Sequence, residues 1–173
     1  MLSQHNVGSN VDAVDQLLNL ETTDVLMGVL PFFHSFGYTA TLWLPACCAP
    51  KTVYHFNPLD AKIIGKLSEK HKTTILMATP TFLKSYLKRI DKEQLAHLDM
   101  VVVGAEKMPL DLAEEFYNKF GIRPSEGYGT TELSPVAAVN IPDHRTADTQ
   151  QVGTKLGTVG RPIPGVAAKV VNP

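Results

Sequence analysis

A chain of 173 residues with 44% hydrophobic composition can bury one compact core and is too short for several. Its 16 basic and 17 acidic residues nearly cancel, to a formal charge of −1, and the basic ones are scattered, so the electrostatic stripe of a nucleic-acid binder is missing. Its two cysteines, the adjacent Cys47 and Cys48, form neither a disulfide framework nor a zinc site; they read as buried small hydrophobes suited to a reducing, intracellular compartment.

The first residues, "MLSQHNVGSNVD", lack the basic-then-apolar order of a secretory signal. Val7, Val11, Val14 and Leu18 then recur at the spacing of an amphipathic helix. "VLMGVL" at 25–30 reads as a buried strand, and "FGYTATLWLPAC" as an apolar helix with Pro45 near its end. Val25 to Pro50 contains no Lys, Arg, Asp or Glu, but Pro31, His34, Ser35, Gly37 and Pro45 interrupt it. A bilayer helix needs about 20 mostly apolar residues in a row. The stretch is therefore expected in the interior of a soluble α/β protein. "KTVYHF" is a short strand, followed by a helix from about Asp60 with Ile63, Ile64 and Leu67 inward.

"TTILMA" is a further strand, and Thr79-Pro80 opens the next helix in the order N-cap, then first helical position. "MVVVGA" is the plainest buried strand of the chain; the helix after it carries Leu112, Phe116 and Phe120 and stops at Gly121. Past Tyr128 come "VAAVNI", a polar stretch from Pro142 to Lys155 expected to be a mobile loop, and a last strand "AAKVV". Strands alternating with helices predict an α/β fold with a mostly parallel sheet flanked by helices.

In open sheets of this kind ligands collect at the carboxyl ends of strands. "FFHSFG", "GAEKMP" and "GYGTTE" all have that address. In "EGYGTTELSP", residues 126–135, Gly127 and Gly129 flank Tyr128 and permit close backbone approach. Thr130 and Thr131 offer hydroxyls to anionic oxygens, and Glu132 offers the oxygen ligand that magnesium takes alongside phosphates. Taken alone, the stretch fits equally well a Gly-rich turn with a solvated glutamate.

"PFFHSFG", "VVVGAEKMP", "EGYGTTELSP" and "GTVGRPIPG", in this order, resemble the adenylate-forming, AMP-binding acyl ligases: acyl-CoA synthetases, acyl-carrier-protein synthetases, luciferases and peptide-synthetase adenylation domains. The resemblance covers nearly the whole chain. "LPFFHSFG" is most similar to the fatty-acid-activating branch, which includes the bacterial 2-acylglycerophosphoethanolamine acyltransferase/acyl-carrier-protein synthetase. It implies activation of a fatty acid by ATP as acyl-adenylate and transfer to the thiol of CoA or acyl carrier protein, with Mg2+ as cofactor. It also implies a cytoplasmic location, with association of the parent protein with the inner face of a membrane left open.

Carried over residue by residue, the resemblance puts adenine between the backbone of Gly104, Ala105 and Glu106 and the ring of Tyr128. Gly127, Gly129 and Thr130 belong to the same turn, with Thr131 at the α-phosphate and Glu132 on magnesium. His34 would border the reacting carboxylate. A lone histidine among aromatics is more often a hydrogen-bonded core residue than a catalyst, so the site role of His34 rests on the resemblance. Gly127, Gly129 and the Gly157–Gly160 segment would shape an acyl tunnel. Glu106 reads as a wall residue, and Lys107 and Arg161 as solvated charges.

The family's phosphate loop precedes a "MLSQHN"-like start, and its ribose-binding Asp and C-terminal domain with the catalytic Lys follow a "VVNP"-like end. Residues 1–173 are thus expected to be a partial adenylation domain, inactive by itself. Two rival readings are a non-catalytic nucleotide- or acyl-binding fragment and a glycerolipid acyltransferase. The second rests on the His-x4-Asp spacing of His55 and Asp60, for which Asp60 as a helix N-cap is the simpler account.

Overall fold

The computed structural model describes residues 1–48, 50–146 and 153–172. Helix α1 (Gln4–Leu18) leads into strand β1 (Val25–Gly28), followed by α2 (Ser35–Gly37), a π-helical segment (Tyr38–Trp43) and α3 (Leu44–Cys48). Next come β2 (Lys51–Tyr54), α4 (Ala61–His71), β3 (Ile75–Ala78), α5 (Pro80–Arg89), β4 (Met100–Val103), α6 (Leu110–Phe120), β5 (Ser125–Gly129), β6 (Val136–Val139) and β7 (Arg161–Pro162).

These strands form one sheet in the order β2-β1-β3-β4-β5-β6-β7. Strands β1 to β5 pair in parallel, and β6 and β7 add on in antiparallel. The mostly parallel α/β architecture expected from the alternating pattern is therefore present.

Successive strand residues point to opposite faces, and the two cores divide accordingly. Met27, Leu76, Val101 and Val103 face α4, α5 and α6, against Ile64, Leu83, Tyr86 and Phe116. Leu26, Ile75, Met77, Met100 and Val102 face the other way, toward Val11, Val14, Leu18 and Leu44. With helices on both faces, continuous apolar runs such as "MVVV" are buried at every position.

The helix boundaries follow local chemistry. The Thr79 hydroxyl accepts from the Phe82 N–H with Pro80 at the first helical position, and Gly121 ends α6 at φ 79°. Asp60 caps α4 by accepting from the Ile63 N–H at 3.5 Å. His55 Nε2 lies 3.4 Å from Asp60 Oδ2 without hydrogen-bond geometry, so the His-x4-Asp spacing belongs to this cap. The helix after His34 widens into π form where Pro45 has no N–H for the carbonyl of Thr41. The Leu44 N–H reaches back to Thr39 O, and the Tyr54 hydroxyl donates to Thr41 O at 2.7 Å.

Four expectations need correction. Of the three α4 residues expected inward, Ile64 is buried and Leu67 half-buried, but Ile63 is exposed. "AAKVV" is not a strand: residues 167–171 have no regular secondary structure and pair with no strand among the described residues, and Val170 is 99% exposed. The charge-free stretch is not wholly interior: Phe32, Phe33, Tyr38 and Trp43 are exposed beyond the end of β1, Phe33 at 94%. Cys47 is exposed and Cys48 half-buried; burial and the neighbouring Asp15 push the Cys48 thiol up to about 12. Within the polar stretch expected as a loop, Asp143–Arg145 is a 3-10 turn and residues 147–152 lie outside the described residues. No described helix is long and apolar enough to cross a membrane.

Candidate functional site

The loops after β1, β4 and β5 meet at the carboxyl edge of the sheet. In a parallel sheet every strand delivers its following loop to the same edge, so residues distant in sequence become neighbours. His34 is the N-cap of α2 and is exposed, not a core residue. Its Nδ1 accepts from the Phe36 N–H at 3.2 Å, which leaves the proton of the neutral ring on Nε2. Ser35, the next residue, lies 3.1 Å hydroxyl to hydroxyl from Thr131 and links the β1 loop to the β5 loop.

After β4, Gly104 is buried and its N–H donates to Ala78 O at 3.3 Å. Ala105 takes φ 67°, a left-handed conformation that costs a residue with a Cβ. Glu106 accepts from the Thr81 hydroxyl at 2.7 Å, which holds it as part of the wall. Glu126, at the start of β5, accepts from the Met108 N–H through Oε1 at 3.3 Å.

Tyr128 stands on β5 with its ring 51% exposed, between Gly127 and Gly129. The register with β6 shifts at Tyr128/Gly129. There the chain folds back, and the Thr130 N–H donates to Pro135 O at 3.0 Å. A Cβ on Gly129 would overlap that Pro135 carbonyl, so the fold itself demands glycine at this position. Thr131 and Glu132 occupy the 3-10 turn Thr131–Leu133. Asn10 of α1 pins this turn from behind: its side chain donates to Val136 O at 2.8 Å and accepts from the Val136 N–H at 3.2 Å.

Two cavities flank the Gly127-Tyr128-Gly129 ribbon and share it. The first, about 220 Å³, has apolar walls of Phe36, Val102, Val103, Pro135, Val136 and Val139, with His34, Ser35, Thr130 and Thr131 as its polar members. The second, about 390 Å³, lies between Ala105–Lys107, Glu126–Gly129 and the Gly157 and Val159 loop. Of the residues named from sequence, His34, Gly104, Thr130 and Thr131 line the first, Glu106 the second, and Ala105, Gly127, Tyr128 and Gly129 both. Glu132 lines neither; it is exposed on the same turn as Thr131, with no hydrogen bond or ion pair among the described residues.

Among the described residues no group of three His, Cys, Asp or Glu side chains could hold a metal by itself. A single free carboxylate beside hydroxyls fits magnesium carried chiefly by phosphates and water. Ser35, Phe36, Asn10 and Asn140 were not singled out from sequence. Asn10 had a signal, since it falls three residues after Val7 on the apolar stripe, where a polar residue needs a partner; Asn140 had only its place at the end of an apolar run.

The AMP-binding enzyme family matches residues 1–173. The chain is similar to a long-chain-fatty-acid–CoA ligase of Bacillus subtilis, 27% identical over 99% of this chain and 30% of the relative. It is also similar to the acyl-CoA ligase SID4 of Ajellomyces capsulatus, 25% identical over 100% of this chain and 29% of the relative. The crystal structure of apo MatB from Rhodopseudomonas palustris superposes with a TM-score of 0.85 at 28% identity, over 100% of this chain and 32% of that one. An ATP-bound structure of the same protein gives 0.83. The chain thus spans about a third of the length of these relatives.

Proposed function

The chain belongs to the AMP-binding enzyme family, and on that premise we propose that it is part of the adenylation domain of an ATP-dependent acyl ligase that activates a fatty acid and passes it to a thiol. The observation that carries this reading is the pair of cavities sharing one Gly-Tyr-Gly ribbon. A reaction joining an acid to a nucleotide needs two sites that meet, and Thr131 and Ser35 lie at the first of them.

The nucleotide belongs in the second cavity, with its base on the exposed face of Tyr128 and against the backbone of Ala105 and Glu106. The acid belongs in the first. Among the described residues no Lys or Arg lines that cavity, and its walls are Phe, Val and Pro, which favours a hydrocarbon chain over a second carboxylate. Fatty acids therefore fit better than dicarboxylic acids. The acceptor is CoA or acyl carrier protein; relatives named as CoA ligases support CoA.

In the reaction a carboxylate oxygen attacks the α-phosphorus of ATP, the bond to pyrophosphate breaks, and the acyl-adenylate forms. Both reactants are anions, so fixed positive dipoles have to offset their repulsion. The Nε2–H of His34 and the one O–H of the Ser35–Thr131 pair that is not spent on their mutual bond are donors available beside the first cavity. Glu132 would hold Mg2+, which supplies charge neutralisation at the phosphates when bound. The apolar walls exclude water from the acid and hold its oxygen in line.

Calorimetry with AMP and with decanoate tests the reading. The expected result is that each binds and neither displaces the other. Val159→Trp, in the wall of the second cavity alone, should weaken AMP and spare decanoate. Absence of AMP binding, or competition between the two ligands, would remove the two-cavity basis. Binding of both with no ATP–pyrophosphate exchange in a full-length parent would instead favour a non-catalytic binding role.

A further inference from the structure

We propose that Asn140 is a positioning residue for the second cavity, the node that sets the Gly157–Val159 wall against β5; the inference rests on the reading of that cavity as the nucleotide site. Asn140 follows β6 and is 2% exposed. Its backbone N–H and both polar atoms of its side chain are hydrogen-bonded. Its backbone N–H donates to Glu126 O at 2.9 Å, and its Nδ2 donates to Glu126 O at 3.0 Å and to Thr158 O at 2.5 Å. Its Oδ1 accepts from the Lys155 N–H at 2.9 Å.

The bonds to Glu126 extend the β5–β6 ladder, and those to Lys155 and Thr158 reach a loop that no ladder holds. Residues 153–160 contain no helix or strand, so their place depends on such contacts. Lys155 and Thr158, both held by Asn140, bracket Gly157, and Val159 follows directly; Gly157 and Val159 are the cavity wall on that side. The opposite wall is tied to the same point. Glu126, whose carbonyl takes both Asn140 donors, accepts through its own carboxylate from the Met108 N–H and so fixes the loop of Ala105–Lys107. All three walls therefore converge on the Glu126–Asn140 contact. The first cavity is lined by neither the 153–160 loop nor Glu126.

That separation makes the role testable as a split between two ligands. Loss of Asn140 should widen the second cavity and leave the first intact. In calorimetry on the 173-residue chain, Asn140→Ala is expected to weaken AMP at least tenfold and to change decanoate affinity less than twofold. Thr73→Ala serves as control: it deletes an equally buried hydrogen bond, Thr73 Oγ1 to Ser68 Oγ at 2.9 Å, away from both cavities. It should leave both affinities unchanged.

Amide exchange on the unmodified chain gives a second measurement that needs no variant. Saturating AMP should slow exchange at the Lys155 and Asn140 N–H groups at least tenfold, with no change at Thr73. The proposal is overturned if Asn140→Ala binds AMP within twofold of the unmodified chain, if it loses AMP and decanoate in equal proportion, or if AMP leaves the Lys155 and Asn140 amides unaffected. Failure of the unmodified chain to bind AMP would instead strike the nucleotide reading, and with it this role.

Discussion

Arg145→Ala should be among the most destabilising single substitutions in this chain. The guanidinium donates to both oxygens of Asp24, at 2.7 and 2.8 Å, and to Asp99 at 2.5 Å. Asp24, Thr74 and Asp99 sit just before β1, β3 and β4, so the cluster ties the Asp143–Arg145 turn to the amino edge of the sheet. Removing one partner of a buried ion pair costs about 3–5 kcal/mol. Asp24 is only 3% exposed but keeps hydrogen bonds from the Thr74 hydroxyl and the Glu21 N–H, which puts the loss near the lower end, about 3 kcal/mol.

With a urea slope of about 2 kcal/mol per molar, the unfolding midpoint should fall by about 1.5 M. The melting temperature should drop by roughly 6–12 °C. Asp24→Asn in the Arg145→Ala background should restore part of the loss, because it removes the stranded charge. Acidification should have a related effect. Burial raises the Asp24 pKa, but hydrogen bonds from Arg145, Glu21 and Thr74 outweigh it, so the carboxyl titrates below its ordinary value. The stability it contributes is present above an unfolded carboxylate pKa of about 4 and lost as pH falls through the lower folded value. A midpoint shift below about 0.5 M in Arg145→Ala would refute this account of the cluster.

In a full-length ligase containing this segment, Glu132→Ala should lower adenylation on the order of a hundredfold, about 3 kcal/mol, with acid binding kept; near-normal pyrophosphate exchange would remove Glu132 from the magnesium role. Thr131→Val should give a smaller loss in the same assay. Across a series of unbranched acids, kcat/KM should rise about fourfold per methylene, at about 0.8 kcal/mol each, until the apolar cavity is full. Val136→Phe should move that break to shorter acids, and an unchanged profile would dissociate the cavity from the acid. Gly129→Ala should prevent or severely weaken folding, since the new methyl meets the Pro135 carbonyl; a native melting curve would contradict the packing at the β5–β6 shift.

The core strands and helix ends were legible in sequence because their determinants are local. "MVVV" is apolar at every position and so fits only a strand covered on both faces, and Thr79-Pro80 and Gly121 carry their capping chemistry in their own residues. The meeting of His34, Gly104 and Tyr128 was legible at the level of loops, since parallel strands send their loops to one edge. Side-chain partnerships across the fold were not. Ser35 meets Thr131 over 96 positions and Asn10 meets Val136 over 126, distances at which spacing carries no information. "AAKVV" failed for the complementary reason: strand propensity describes fitness for a sheet, and whether an edge is available is a tertiary fact.

The most direct test of the two-cavity reading is a crystal structure of the chain, or of a full-length ligase containing it, with a non-hydrolysable decanoyl-adenylate analogue. The predicted result has adenine against the ring of Tyr128 and the backbone of Ala105, the linkage beside Thr131, and the acyl chain between Phe36, Val102 and Val139. An analogue bound elsewhere, or with its chain and base on the same side of the Gly127–Gly129 ribbon, would contradict it.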